Sequence, residues 1–113
     1  MTISVLGIVG AGFMGSGIAE SASGGGKTVV LYEPDRAPLD RARRALEGSM
    51  ARAVSNGRLD ETQATERLER IVLTQSIEDL GRAEAVVEAI TEKLVASYRV
   101  ALDVKNLVAL EKK

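Results

Sequence analysis

The sequence predicts an α/β fold in which a doubly wound parallel sheet is covered by helices. Three observations predict it: short β-favouring runs alternate with helical patterns over 113 residues, a glycine-rich turn follows the first run, and an acid closes the second. Such alternation is typical of parallel strands joined by right-handed crossovers. The expected strand order is 3-2-1-4, and the sheet is expected to stop after about four strands.

The first strand and helix are predicted near the amino end. Val5–Val9 is an apolar run that stops at Gly10, which is typical of a buried strand. A helix is predicted from Phe13 to Ser23, because apolar residues recur there every four positions. Its expected apolar face consists of Met14, Ile18 and Ala22. Three glycines, 24–26, then end the helix.

A second strand and a long helix follow. Val29–Tyr32 is β-favouring, and Glu33 and Pro34 close it. Asp35 is typical of a helix N-cap, and the helix is predicted to run to about Ser55. Its expected core face is Leu39, Ala42, Leu46, Met50 and Val54. Its arginines are expected to form a solvated face, namely Arg36, Arg41, Arg43, Arg44 and Arg52.

The second half of the chain supplies two further strands. Asp60 followed by Gln63 resembles a capping box and predicts a helix to about Leu68. The other expected elements are a strand over 71–74, a helical turn over 76–80, a strand over 85–90 and a helix after Glu92. These elements complete the alternation that a parallel sheet requires.

Composition argues against several classes of function. The chain has no His and no Cys, so we expect no metal site, no disulfide and no His-based catalytic residue. A net charge of -1, with two Tyr, one Phe and no Trp, argues against nucleic acid. No run reaches the roughly 18–20 apolar residues that span a bilayer. Because the amino end also lacks a basic start, the cytoplasm is the expected location.

The glycine-rich turn is the strongest motif. Gly10-Ala11-Gly12-Phe13-Met14-Gly15 fits the G-x-G-x-x-G fingerprint of Rossmann-type dinucleotide sites. Gly10 makes the tight turn, Gly12 lets the backbone approach a pyrophosphate, and Gly15 lets the helix pack closely on the strand. The free amides at the helix start then hold the phosphates.

An acid at the end of the second strand indicates the cofactor. Glu33 follows Gly10 by 23 residues, near the spacing of about 20 expected for a carboxylate that accepts both ribose hydroxyls. The same carboxylate repels a 2′-phosphate, which favours NAD over NADP. Arg36 leaves the alternative open, because an arginine there can receive that phosphate.

Longer strings carry a resemblance to a known family. The sequence resembles the NAD-binding domain of L-3-hydroxyacyl-CoA dehydrogenases, nearest the 3-hydroxybutyryl-CoA branch, in the strings 9–19, 29–33 and 86–92. The resemblance covers about residues 3–92. It implies NAD-dependent oxidation of a 3-hydroxyacyl-CoA in fatty-acid metabolism, usually by a dimer.

The resemblance also implies roles for particular residues. The turn from Gly10 to Gly15 would hold the pyrophosphate of NAD, and Glu33 the adenosine ribose. Ala89 and Glu92 would lie on the nicotinamide ribose side, and Ser49 would contact the CoA of the acyl-CoA substrate.

The departures from the family pattern limit what we expect of this chain. Two family lysines fall on Ser97 and Asn56, with Arg58 close to the second. The family's catalytic His–Glu pair and helical C-terminal domain are absent, so residues 1–113 are expected to be an inactive part of the NAD-binding domain. An exposed fourth strand then favours a homodimer or edge-strand association.

Two alternatives remain open from the sequence. The chain could be a non-catalytic dinucleotide-binding module, such as an inactive partner that pairs through its open edge. It could also belong to a dehydrogenase that acts on a hydroxy acid, although the string over 86–92 favours the acyl-CoA family.

Overall fold

The computed structural model describes residues 3–89, which contain four strands, three α-helices and one 3-10 helix. The strands are β1 (Val5–Val9), β2 (Thr28–Tyr32), β3 (Ile71–Thr74) and β4 (Ala85–Glu88). The helices are α1 (Phe13–Gly24), α2 (Arg36–Ser55), α3 (Glu61–Glu69) and the 3-10 helix (Ile77–Arg82). Ile90 and the helix predicted after Glu92 lie outside the described residues.

The four strands form one parallel sheet in the order β3-β2-β1-β4, which confirms the predicted order. Ile8 in β1 lies opposite Leu31 in β2 and Val87 in β4. Because all strands run the same way, their carboxyl ends and the loops that follow them meet at one edge, here called the carboxyl edge. The opposite edge, where the strands begin, is the amino edge.

Alternate residues of the strands pack into two apolar clusters, one on each face of the sheet. On one face Ile8 and Leu31 pack with Ala19 of α1 and Leu39 of α2. On the other face the 3-10 helix covers the sheet, and its residues pack with Val9, Val30 and Tyr32. The alternation follows from the two-residue period of a strand whose faces are both covered.

Helix α1 differs from its predicted packing. Met14 is exposed, so its predicted place on the packing face is wrong, whereas Ile18 and Ala22 are partly buried and pack against the core cluster. The buried residues are the small ones, Gly15, Ser16, Ala19 and Ser23. A Cβ on Gly15 would overlap the carbonyl oxygen of Gly10, so only a helix face of small residues can approach the sheet this closely.

The other two helices follow the sequence pattern more closely. In α2 the buried residues are Leu39, Ala42, Leu46, Met50 and Ala53, with Ala53 in place of the predicted Val54. Asp35 is the N-cap of α2, but its side chain makes no capping hydrogen bond. Asp60 and Gln63 form the predicted capping box of α3, with N···O distances of 3.0 and 2.8 Å. Within residues 3–89, no helix is both long enough and apolar enough to cross a membrane.

Candidate functional site

The turn between β1 and α1 has a backbone that requires glycine at its first position. Gly10 has a φ of 104°, in the left-handed region that side chains rarely adopt. Its amide donates to the carbonyl oxygen of Tyr32 at 2.9 Å, which ties the turn to the end of β2. The chain therefore reverses sharply at the carboxyl edge and enters α1 at Phe13.

The other two glycines of the motif, Gly15 and Gly12, lie in different environments. A Cβ on Gly15 would overlap the Gly10 carbonyl and would lie 3.5 Å from the side chain of Ile8. A Cβ on Gly12 would have no atom within 4 Å among residues 3–89, apart from its chain neighbours. The backbone at Gly12 therefore borders open space that a larger side chain would enter, which is the form expected of a phosphate cradle.

The amino end of α1 presents its amides to that space. Gly12 is the N-cap and has no side chain to accept a hydrogen bond, and the first turn contains no acidic residue. The amides of the first turn have no partner inside the helix, and the helix dipole makes this end positive. Phe13 is 99% exposed and Met14 is 66% exposed, so both are accessible beside the turn. The arrangement suits an anion such as a pyrophosphate.

Glu33 lies at the end of β2 with its carboxylate turned toward the same turn. It is 4% exposed, and it accepts a hydrogen bond at each carboxylate oxygen. The Ala11 amide donates to Oε1 and the Asp35 amide donates to Oε2, each at 3.1 Å. A carboxylate has about four acceptor positions, so two remain after these bonds.

Arg36, the residue that favoured NADP in the sequence, has another partner. Its Nε lies 3.7 Å from Oδ2 of Asp40, one turn later in α2, and its side chain is exposed. Such a surface pair contributes little to stability, but it shows where the guanidinium lies in this structure.

A cleft of about 470 Å³ opens between α1 and α2 and reaches the glycine turn. Its walls include Gly12, Phe13 and Glu20 on one side and Arg41, Ser49 and Arg52 on the other. The Ser49 hydroxyl donates to Oε2 of Glu20 at 2.7 Å. Arg41 and Arg52 are exposed, as the sequence predicted, yet the period of α2 places them on the cleft beside Ser49.

The residue after β4 also reaches the glycine turn. The Ala89 amide donates to the carbonyl oxygen of Val9 at 2.9 Å, and its side chain packs against the cluster that contains Ile8 and Ala11. Glu92, the other residue expected on this side, lies outside the described residues. The structure thus brings together the turn, Glu33 and Ala89 at one edge of the sheet.

The carboxyl edge carries a concentration of negative charge around Tyr32. Burial raises the pKa of the Tyr32 phenol above its ordinary value, and the nearby carboxylates of Glu33, Glu78 and Asp35 raise it further. A 2′-phosphate entering beside Glu33 would meet this charge.

Two contacts that shape the site have no signal in the sequence. The hydrogen bond from the Ala11 amide to Glu33 joins residues 22 positions apart, and no local pattern indicates it. The link between Ser49 and Glu20, 29 positions apart, is equally invisible in the sequence. The helical spacing of 41, 45, 49 and 52 is the one signal that could have placed both arginines beside Ser49.

The family described as 3-hydroxyacyl-CoA dehydrogenase, NAD binding domain, matches this chain over residues 5–110. The 3-hydroxybutyryl-CoA dehydrogenase of Mycobacterium tuberculosis is 38% identical over 90 residues, which are 80% of this chain and 32% of that protein. A probable 3-hydroxybutyryl-CoA dehydrogenase of Bacillus subtilis is 33% identical over 96 residues, 85% of this chain and 33% of that protein.

Solved structures agree with the sequence comparisons. The crystal structure of (S)-3-hydroxybutyryl-CoA dehydrogenase PaaH1 from Ralstonia eutropha superposes with a TM-score of 0.76 at 34% identity, covering 80% of this chain and 32% of that one. The 3-hydroxybutyryl-CoA dehydrogenase of Escherichia coli K12 gives a TM-score of 0.78 at 30% identity, covering 85% of this chain and 20% of that one. The chain spans about a third of the length of the curated relatives it matches.

Proposed function

The chain belongs to the family of 3-hydroxyacyl-CoA dehydrogenase NAD-binding domains, and we propose that it binds NAD as the cofactor part of such an enzyme. One observation carries the proposal: an uncapped helix start, opened by Gly12, lies beside a buried carboxylate that faces the same turn. Neither feature alone indicates a dinucleotide, but together they offer an anion site next to a ribose acceptor.

Each part of the cofactor has a proposed partner. The amides of Gly12, Phe13 and Met14 hold the pyrophosphate, and Glu33 accepts the hydroxyls of the adenosine ribose. Ala89, together with Glu92 as the family resemblance implies, lies on the side of the nicotinamide ribose. NAD, when bound, accepts the hydride that leaves the carbon bearing the substrate hydroxyl. The residues of this chain bind and orient that acceptor.

We propose an acyl-CoA as the substrate, with part of the CoA against Ser49 in the cleft between α1 and α2. The names of the relatives support this choice of substrate class. The cleft supports the placement, because it is large, adjoins the cofactor turn and carries Arg41 and Arg52 beside Ser49. Among residues 3–89 neither arginine has an ion-pair partner, so both can meet phosphates.

These residues alone are not expected to catalyse the reaction. Oxidation of a hydroxyl needs a base with a pKa near the working pH, and the 113 residues contain no histidine. We propose that the base and the helical substrate domain are contributed from outside these residues. The purified chain with NADH and acetoacetyl-CoA should show no loss of NADH absorbance, and measurable turnover would contradict this.

Cofactor binding is tested by calorimetric titration of the chain with NAD and with NADP. We expect NAD to bind at least about tenfold more tightly, a difference of about 1.4 kcal/mol, because a 2′-phosphate would meet the Glu33 carboxylate. Arg36→Ala should leave that ratio unchanged, because we attribute the preference to the Glu33 carboxylate and not to Arg36. Tighter binding of NADP that is lost in Arg36→Ala would overturn the assignment of Glu33.

We also propose that the chain associates with a second copy through the outer edge of β4. Within the part of the chain that the structure describes, β4 pairs only with β1, and Val86 and Val87 are half-buried. An unpaired strand edge is a template for another strand. Light scattering after size exclusion should give a mass that rises with concentration, and a constant monomer mass would contradict the association.

A further inference from the structure

The carboxylate of Glu33 is already engaged by two loops of the protein. Its two oxygens accept hydrogen bonds from the amide of Ala11, inside the glycine turn, and from the amide of Asp35, at the start of α2. Both N···O distances are 3.1 Å, and the residue is 4% exposed. A buried carboxylate needs such donors, because leaving it without partners would cost far more than the bonds return.

The position of Glu33 makes these two bonds a bridge. Its own amide donates to the carbonyl oxygen of Thr74 in β3 at 3.0 Å, so its backbone is fixed by the sheet. From this anchor the side chain reaches across to Ala11, whose neighbour Gly10 has a left-handed backbone. The Asp35 amide, at the N-cap of α2, donates to the other carboxylate oxygen, so the same side chain also contacts the start of α2.

We propose that Glu33 is a positioning residue that fixes the glycine turn in its phosphate-binding conformation before a nucleotide arrives. Fixing the turn in advance removes the ordering cost from the binding step. This positioning role is separate from the acceptance of ribose hydroxyls by Glu33. It deepens the proposed function, and the second of its two tests, which measures ligand binding, rests on that function. Its first test needs no nucleotide, so failure of one proposal is distinguishable from failure of the other.

The chain offers a matched control at the amino edge of the sheet. Oε1 of Glu84 also accepts two backbone amides, those of Ser4 and Val5, at 3.1 and 3.2 Å. Glu84 is exposed and lies at the opposite end of β1 from the turn. Glu84→Gln therefore removes the charge of a carboxylate that accepts backbone amides, without touching the glycine turn, and its remaining amide oxygen can keep both bonds.

Amide hydrogen exchange measured by NMR on the ligand-free chain is the first test. In the wild type the Ala11 amide should exchange at least about tenfold more slowly than that of Gly12, which has no acceptor among residues 3–89. In Glu33→Gln the new NH₂ group must face one of the two backbone donors, so the amide of Ala11 or Asp35 should exchange about tenfold faster. Glu84→Gln should leave both amides unchanged.

Wild-type exchange at Ala11 as fast as at Gly12 would overturn the proposal even if the Gln variant did not fold. Unchanged protection of both amides in a folded Glu33→Gln chain would overturn it as well.

The second test uses inorganic pyrophosphate, which has no ribose. If Glu33 acted only through the ribose, removing its negative charge would leave pyrophosphate affinity unchanged or raise it. A positioning role predicts a fall of about threefold to tenfold in Glu33→Gln, with no change in Glu84→Gln. Equal or tighter pyrophosphate binding in Glu33→Gln would overturn the claim that the bridge prepares the turn. A wild-type chain that protects Ala11 but binds neither NAD nor pyrophosphate would instead refute the proposed function and leave the bridge in place.

Discussion

The two edges of the sheet have similar groups, a glutamate that accepts backbone amides and one end of α1, but these groups serve different purposes. At the carboxyl edge a glutamate, Glu33, accepts two backbone amides while buried, and the adjacent start of α1 has no cap. At the amino edge Glu84 accepts two backbone amides while exposed. There the last carbonyls of α1 have partners: the amides of Gly25 and Lys27 donate to the Ala22 carbonyl at 3.0 and 3.1 Å, and Arg70 Nη1 donates to the Ser23 carbonyl at 3.0 Å.

The difference separates polar groups that stabilise the fold from polar groups that are proposed to bind a ligand. Polar groups at the amino edge are paired within the protein, so their contribution is complete without a ligand. The carboxyl edge keeps helix-start donors and carboxylate acceptor positions available beside open space at Gly12. Substitutions at the amino edge should therefore change stability alone, whereas those at the carboxyl edge should change binding.

The largest effect is expected from Gly15→Ala at the carboxyl edge. The new Cβ would overlap the Gly10 carbonyl, so α1 must move away from β1. We expect the free energy of unfolding to fall by about 1–3 kcal/mol, and NAD binding to be lost with the shape of the turn. Urea denaturation measures the first effect. Gly17→Ala is the control in the same helix, because within residues 3–89 its Cβ would meet no atom within 4 Å outside the helix's own backbone, and it should be neutral or stabilising by up to about 1 kcal/mol.

Gly12→Ala should separate binding from folding. The backbone at Gly12 has a φ of -76°, which alanine adopts readily, and the new methyl group would enter open space. Stability should fall by less than about 1 kcal/mol, the usual cost of a weaker N-cap. NAD affinity should fall at least about tenfold, because the methyl group occupies the place of the pyrophosphate. Full NAD affinity in this variant would contradict the proposal that the backbone at Gly12 contacts the pyrophosphate.

Ser23→Ala tests the amino edge. Ser23 is fully buried, and without its hydroxyl the Arg67 carbonyl loses a donor. The free energy of unfolding should fall by about 1–2 kcal/mol. NAD affinity of the folded chain should stay within about twofold of the wild type, since distant sites act independently. A large loss of NAD affinity with an unchanged free energy of unfolding would contradict the claim that the amino edge contributes to stability alone.

The smallest effect is a dependence on pH at Tyr32. Because burial and the carboxylates raise its pKa in the folded chain, the unfolded chain ionises first as pH rises. The contribution of Tyr32 is therefore complete below about pH 10, the ordinary pKa of tyrosine, and is lost as pH rises through the folded pKa. Relative to Tyr32→Phe, the wild type should lose stability above that pH. Parallel stability curves for the two chains would show that the pKa is not raised.

Much of the fold could be predicted because its signals are local. The apolar run Val5–Val9 and the capping box of Asp60 and Gln63 each depend on neighbours in the sequence, and both are confirmed. The packing face of α1 was predicted only in part: Ile18 and Ala22 lie on it, but Met14 does not, because periodicity selects large residues. The sheet instead accepts small ones such as Ala19.

The site was only partly predictable for a related reason. The glycine motif specifies its own turn, so the conformation of Gly10 could be anticipated. The bridge from Glu33 to Ala11 depends on how β1 and β2 lie side by side, which only the folded chain defines. The cleft around Ser49 likewise needs α1 and α2 in contact.

The most direct test of the central claim maps NAD onto the chain by amide NMR shifts. The carboxyl edge should respond, with the largest shifts at Gly12, Phe13 and Met14 and smaller ones at Ala11. The amino edge, represented by Ser4, Val5 and residues 24–26, should remain unchanged. Shifts concentrated at the amino edge, or no shifts at saturating NAD, would contradict the assignment of the carboxyl edge as the cofactor site.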